Sequence, residues 1–181
     1  MQDVRVSMTS QGSTNKPHFS DLDYYATLTG NNDFDVADLN DPNKMYYKEH
    51  YYEKTGSNYK GQWVGNFRHG QGSIEFSDGA SYEGNWYLGR AEGQGTFKHT
   101  NGDVYEGSWV QDRAQGHGTH TNFGGGKYEG GWFRDRQDGV GREELPDGSS
   151  FEGNFSQGKK EGYGIYRWSD GTSYEGEWNN N

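Results

Sequence analysis

Three sets of residues in this chain are of types that do chemistry in other proteins. Six histidines, His18, His50, His69, His99, His117 and His120, offer imidazoles for metal ligation or proton transfer. Five glutamates, Glu83, Glu106, Glu129, Glu152 and Glu175, recur at a constant interval and would hold a cation or act as acid and base if brought together in pairs. Gly-x-Gly segments, such as Gly93 and Gly95, are of the kind that cradle phosphate when they open a helix. Whether any set works depends on the elements that place it.

Those elements repeat. YEGNW at 82–86 returns as YEGSW at 105–109, YEGGW at 128–132, FEGNF at 151–155 and YEGEW at 174–178, and a looser YKGQW stands at 59–63, each start 23 residues after the last. With the first residue of each as position 0, glycine fills positions 2, 11, 13 and 20 of every complete repeat. Thirty glycines without a pattern would suggest disorder, but on a fixed period they mark a repeat architecture. Only 28% of the chain is hydrophobic while 16% is aromatic, so a core has to be built from rings.

Each repeat reads as a β-hairpin. Tyr-Glu-Gly-x-Trp alternates as a short strand, and Gly-x-Gly with the stretch after it makes a second. Ser77-Asp78-Gly79, Thr100-Asn101-Gly102, Pro146-Asp147-Gly148 and Ser169-Asp170-Gly171 turn the chain into the next repeat. A two-residue loop there would pair position 15 with the next repeat's Glu. A three-residue loop, a type I turn followed by a glycine bulge, pairs Phe97 with Tyr105, Gly95 with Gly107 and Gly93 with Trp109, and Pro146 suits this second geometry. The resulting register puts Tyr82, Gly84, Trp86, Gly93, Gly95 and Phe97 on one face and Glu83, Asn85, Gln94, Thr96 and Lys98 on the other. Each Trp is expected between glycines of both neighbouring strands, and Arg142 between Glu129 and Glu152. About twelve strands at roughly 4.8 Å per strand give a single-sheet rod of about 55 Å.

Residues 1–46 lie outside this pattern and read as an extended or disordered acidic arm. The array is assigned to 47–181: a half repeat at 47–58 with Tyr51 on position 15, full repeats at 59–81, 82–104, 105–127, 128–150 and 151–173, and a half repeat at 174–181.

On this frame the chemistry recedes. Successive glutamates of the row sit about 9.6 Å apart, two strand spacings, which suits a solvated acidic face. His117 and His120 point to opposite faces, and His99 and His120 lie on next-nearest strands. No Gly-x-Gly opens a helix. We expect no catalytic residue, no metal site and no cofactor. The formal net charge of −10 works against nucleic acid, and the aromatic row lacks interleaved basic residues to track a phosphate backbone. The chain has no cysteine and no stretch that reads as a membrane span or signal peptide, which leads us to expect a cytoplasmic protein.

The pattern Y-x-G-x-W, then G-x-G, then D-G before the next Y resembles the MORN repeat, over roughly residues 47–181. Phe151 and Phe155 depart from it, as do His120 and Glu143 at position 15. The resemblance implies an all-β, elongated single-layer antiparallel sheet of hairpin repeats that serves scaffolding and protein binding without catalysis. Such repeats occur in radial spoke heads of cilia, junctophilins, parasite cytoskeletal proteins and plant phosphatidylinositol phosphate kinases. From this follow three expectations. The aromatic face forms a partner-binding groove of Tyr59, Trp63, Tyr82, Trp86, Phe97, Tyr105, Trp109, Tyr128, Trp132, Phe151, Phe155, Tyr166, Tyr174 and Trp178. The partner is another protein of a cytoskeletal assembly, with the ciliary axoneme as setting, or a second copy at the Tyr174–Trp178 edge. The alternatives are a membrane tether through loop residues Arg134, Arg136, Lys159 and Lys160, and a targeting subunit for an enzyme on another chain.

Overall fold

The structure is a computed structural model and describes residues 41–181. A single turn of 3-10 helix, Pro42–Lys44, is capped by the Asp41 carboxylate, which accepts from Asn43 N at 2.8 Å. Twelve strands follow: β1 Met45–Tyr52, β2 Ser57–Val64, β3 Phe67–Glu75, β4 Ser81–Tyr87, β5 Arg90–Lys98, β6 Val104–Val110, β7 Arg113–Thr121, β8 Lys127–Phe133, β9 Arg136–Glu144, β10 Ser150–Ser156, β11 Lys159–Arg167 and β12 Ser173–Trp178. They form one open antiparallel sheet in sequence order. The described part is therefore all-β, and every strand pairs only with its neighbours in sequence.

Turns between repeats have the three-residue form. At 99–103, His99 N donates to Asp103 O and Gly102 N to His99 O, and Gly102 has φ of 90° in the left-handed region where glycine is unstrained. The Asn101 side chain accepts from Asp103 N, as Asp78, Asp147 and Asp170 accept from Ala80, Ser149 and Thr172. The cross-strand partners are those expected: Phe97 with Tyr105, Gly95 with Gly107, and Gly93 with Trp109.

Turns within repeats differ from expectation. Leu88 and Gly89 both have positive φ, as do Arg134 and Asp135, so these hairpins close through two-residue turns with the left-handed geometry that suits twisted strands. Such a tight turn sets Trp86 opposite Ala91, whereas Gly84 still faces Gly95. Three residues, Glu92 to Gln94, then oppose Asn85 alone, and Gly93 absorbs the bulge at φ 90°. The expectation of glycine on both sides of each Trp holds only toward the preceding repeat, where Gly70 faces Trp86.

The first strand is also displaced. A four-residue connection, Glu53 to Gly56, replaces the usual turn, and His50 rather than Tyr51 faces Tyr59. One residue of slip exchanges the faces of a strand, so His50 packs edge-on to Trp63 while Tyr51 is 59% exposed. Met45 and Tyr46 belong to this strand, and residues 1–40 of the expected arm lie outside the described residues.

Candidate functional site

The expected groove is filled by its own rings. Tyr59, Trp63, Tyr82, Trp86, Phe97, Tyr105, Trp109, Tyr128, Trp132, Phe151 and Phe155 are each at most 5% exposed. Only Tyr166 and Trp178, partly buried, and Tyr174, 44% exposed, keep open surface, all near the last strand. For the other eleven, a face that was expected to receive a partner is the core of the rod.

A single sheet buries these rings by interlocking repeats. Tyr82 lies edge-on to its own Trp86, with centroids 5.1 Å apart, and to Trp109 of the next repeat at 5.3 Å. Tyr59, Tyr105 and Tyr128 repeat the arrangement, the last with Phe155 in place of an indole. Edge-to-face pairs of this kind contribute about 0.5–1.5 kcal/mol each beyond burial. Both polar tips are satisfied. The Tyr82 hydroxyl donates to Asn85 O at 2.9 Å, and the Trp86 indole donates to Gly72 O of the preceding repeat at 3.0 Å. Burial pushes the Tyr59, Tyr82, Tyr105 and Tyr128 hydroxyls well above the usual phenol range, which keeps them protonated as donors.

The glycines of positions 2 and 13 make room for tyrosine, not for the indole. A Cβ on Gly95 would stand 2.5 Å from the Tyr82 ring, and Gly72, Gly118 and Gly141 face Tyr59, Tyr105 and Tyr128 in the same way. The aromatic and the glycine of each hairpin are one packing unit.

Position 9 also faces inward, and it decides the fate of Lys160. Ala91, Ala114, Gln137 and Lys160 are all buried there, and Arg68 lies 4.2 Å over the Trp86 ring. Lys160 is 2% exposed, donates to Glu143 at 2.5 Å, and sits over the rings of Phe151 and Phe155. It is not a lipid-facing loop residue. Where Phe97, Trp109 and Ala114 pack together across one junction between repeats, Glu143, Phe155 and Lys160 take the equivalent places two junctions later. The smaller Phe155 leaves space, and a cation with its carboxylate fills it. Of the other loop cations, Arg134 and Lys159 are exposed and Arg136, partly buried, donates to Gln157 Oε1.

Carboxylates link the repeats at the two-residue turns. Asp112 accepts from Ala91 N at 2.7 Å and Asp135 from Ala114 N at 2.8 Å, and their own N–H groups donate back to Ala91 O and Ala114 O. Glu92, Asp138 and Glu161 accept from Gln111, Gln157 and Asn180 N, one repeat further on. Burial pushes the Asp112 carboxyl up, against the lowering effect of the Ala91 N–H and of Arg68 and Arg90. The sequence shows these acids at positions 7 and 10, yet only the turn type reveals that they reach the neighbouring repeat.

Chemically reactive groupings are sparse. Among the described residues no group of three or more His, Cys, Asp or Glu is placed to hold a metal ion, and no helix is long and apolar enough to cross a membrane. His120 is buried with its Nε2 3.8 Å from Asp103, and burial lowers its pKa from the ordinary value. Arg142 stands opposite both Glu129 and Glu152 as expected, but it pairs with Glu144 on its own strand at 2.9 Å, while Lys127 pairs with Glu129.

Fold and aromatic spine together define a solenoid rod of β-hairpin repeats with a ring-built core. The MORN repeat family matches residues 59–81, 82–104, 105–127, 128–150, 151–173 and 174–181, and the chain belongs to that family. MORN-repeat proteins are generally non-enzymatic scaffolds, and membership indicates a protein-binding or membrane-associated repeat protein. No curated protein matches the chain. Among solved structures, it is similar to the TCP domain of SAS-4 (dCPAP) of Drosophila melanogaster, a structure in complex with a proline-rich motif of Ana2 (dSTIL). Identity there is 11% over 73% of this chain and 90% of that one, with a TM-score of 0.39. An inactive variant of virginiamycin B lyase from Staphylococcus aureus, with quinupristin, matches at 16% identity over 76% of this chain and 47% of that one, with a TM-score of 0.20. Likeness at these TM-scores carries no argument about function.

Proposed function

We propose that this protein is a non-enzymatic scaffold of a cytoskeletal assembly, with the ciliary axoneme and a radial spoke head as its setting. The observation that carries the scaffold reading is the consumption of the repeat-defining residues inside the rod. Tyr, Trp and Gly of each repeat pack against one another, so the outward-facing residues, many of which differ from repeat to repeat, are the ones left to meet partners. A rod of this kind holds surface groups at fixed intervals, which is a spacing function. Residues near the last strand, Tyr166, Tyr174 and Trp178, offer the part of the aromatic row that a partner protein or a second copy can still cover.

Proximity labelling of the tagged protein in its native cell tests the reading. Enrichment of axonemal or other cytoskeletal proteins is the expected outcome. Enrichment of membrane proteins alone, together with sedimentation on anionic vesicles at physiological salt, would replace the scaffold with a membrane tether.

A further inference from the structure

The outer face changes character at the edge formed by the two-residue turns. Tyr87, Val110 and Phe133 stand there opposite Arg90, Arg113 and Arg136. Tyr87 and Phe133 are 46% and 47% exposed, and the Arg134 guanidinium lies 5.1 Å over the Phe133 ring. A shallow cleft of about 380 Å³ opens between Tyr87 and Val110, lined also by Leu88, Arg90, Glu92 and Gln111. Carboxylates of this edge, Glu92, Asp112, Asp135 and Asp138, each accept a backbone N–H at a junction between repeats. The middle of the same face carries the acidic row of Glu83, Glu106, Glu129 and Glu152, all exposed. The edge thus sets four arginines, Arg90, Arg113, Arg134 and Arg136, beside exposed rings and among carboxylates already engaged by backbone N–H groups, whereas the glutamate row at the centre repels an acidic ligand.

The chain enters the sheet at this edge. Met45 faces Val64 at the start of β1, and the Tyr46 hydroxyl donates to Gly65 O, in the first two-residue turn, at 2.6 Å. Forty residues precede Asp41, with no Lys or Arg between Lys16 and Lys44. That stretch holds Asp21, Asp23, Asp33, Asp35 and Asp38 beside Phe19, Tyr24, Tyr25 and Phe34.

We propose that residues 19–40 of this chain occupy the turn edge along β4 to β9. Their aromatic side chains cover Tyr87, Val110 and Phe133, and their carboxylates meet Arg113, Arg134 and Arg136. Reach is sufficient, since 22 extended residues span up to about 75 Å and β9 lies roughly 38 Å from β1. Tethering raises the effective concentration of the segment to the order of millimolar. The proposal is independent of the identity of any scaffold partner.

The chain has no cysteine, so Ser20→Cys in the full-length protein gives a single site for a nitroxide label. Amide signals of the Tyr87–Arg90, Val110–Arg113 and Phe133–Arg136 turns are expected to broaden, while those of Asn101 and Asp147, at the opposite turns, stay sharp. Raising the salt, which shortens the Debye length from about 8 Å to about 3 Å, should restore the signals. So should the exposed pair of changes Arg113→Glu and Arg134→Glu. Broadening that is absent, uniform, or insensitive to both treatments overturns the proposal. Equal broadening when spin-labelled chains are mixed with separate isotope-labelled chains would assign the edge to a second copy. Sedimentation of the intact chain with phosphatidylserine vesicles, abolished by the same two changes, would assign it to a membrane; either result overturns the intramolecular reading.

Discussion

Lys160 donates to Glu143 at 2.5 Å beneath the rings of Phe151 and Phe155, in a place that alanine fills elsewhere in the rod. The pair is an alternative packing solution to the one made by Phe97, Trp109 and Ala114. Removing one member leaves the other half-solvated at best. Lys160→Ala should lower stability by roughly 2–4 kcal/mol, under the range for a fully buried pair because Glu143 keeps some exposure. The triple change Glu143→Phe, Phe155→Trp and Lys160→Ala should restore or exceed the original stability in urea melts. Additive losses would show that the three sites do not form one unit.

Trp109 is 1% exposed, contacts Tyr82 and Tyr105 edge-on, and donates to Gly95 O at 3.0 Å. Trp109→Ala should cost about 3–5 kcal/mol. A loss below about 1 kcal/mol, within the range of a surface substitution, would mean that the indole is not packed between two repeats.

Gly95 lies under the Tyr82 ring, so Gly95→Ala must displace an aromatic that has no free space. A loss of about 1–3 kcal/mol is expected, the range for overpacking. Exposed Gly139 offers a contrast, because nothing stands within 4 Å of an added Cβ there and only its φ of 88° penalises alanine. Equal losses in the two variants that are both relieved by Asn, which tolerates positive φ, would contradict the ring-space account of Gly95.

Several of these features were legible in the sequence and others were not. Pro146 and the Asp-Gly or Asn-Gly pairs fix the three-residue turn, and with it the register of Phe97 on Tyr105 and the sorting of Tyr82 and Trp86 from Glu83 and Asn85. The two-residue turn at Leu88-Gly89 carries no comparable signal, since Leu88 in the left-handed region is unusual for its type. The bulge at Gly93 that follows from it was therefore missed. Lys160 was misread for a related reason: counted along the chain it is a loop cation, but the two-residue turn sets position 9 opposite position 4 and so points it inward, where Phe155 and Glu143 accommodate the charge. The open groove failed because alternation shows that Tyr and Trp share a face, but not that rings of adjacent repeats close over it.

His120 gives the rod a pH dependence. Burial lowers its folded pKa below the ordinary 6.5, Asp103 opposes that shift and His99 adds to it. The unfolded chain therefore binds the proton more readily, so stability is fullest above about 6.5 and falls as pH drops below it. His99 shifts in the same direction for the same leading cause. His120→Phe, which copies Phe97, should flatten the decline in melting midpoint between pH 7 and pH 5 without removing the part due to His99. An unchanged slope would show that His120 titrates as an exposed residue.

Hydrogen exchange of the indole N–H protons tests the closed spine most directly. Trp63, Trp86, Trp109, Trp132 and Trp178 each donate to a carbonyl of the preceding repeat, whereas Trp168 is 46% exposed and serves as an internal reference. The account predicts strong protection for Trp86, Trp109 and Trp132 and fast exchange for Trp168. Indoles of the three central repeats exchanging as fast as Trp168 would contradict it, and would return the aromatic row to the open groove.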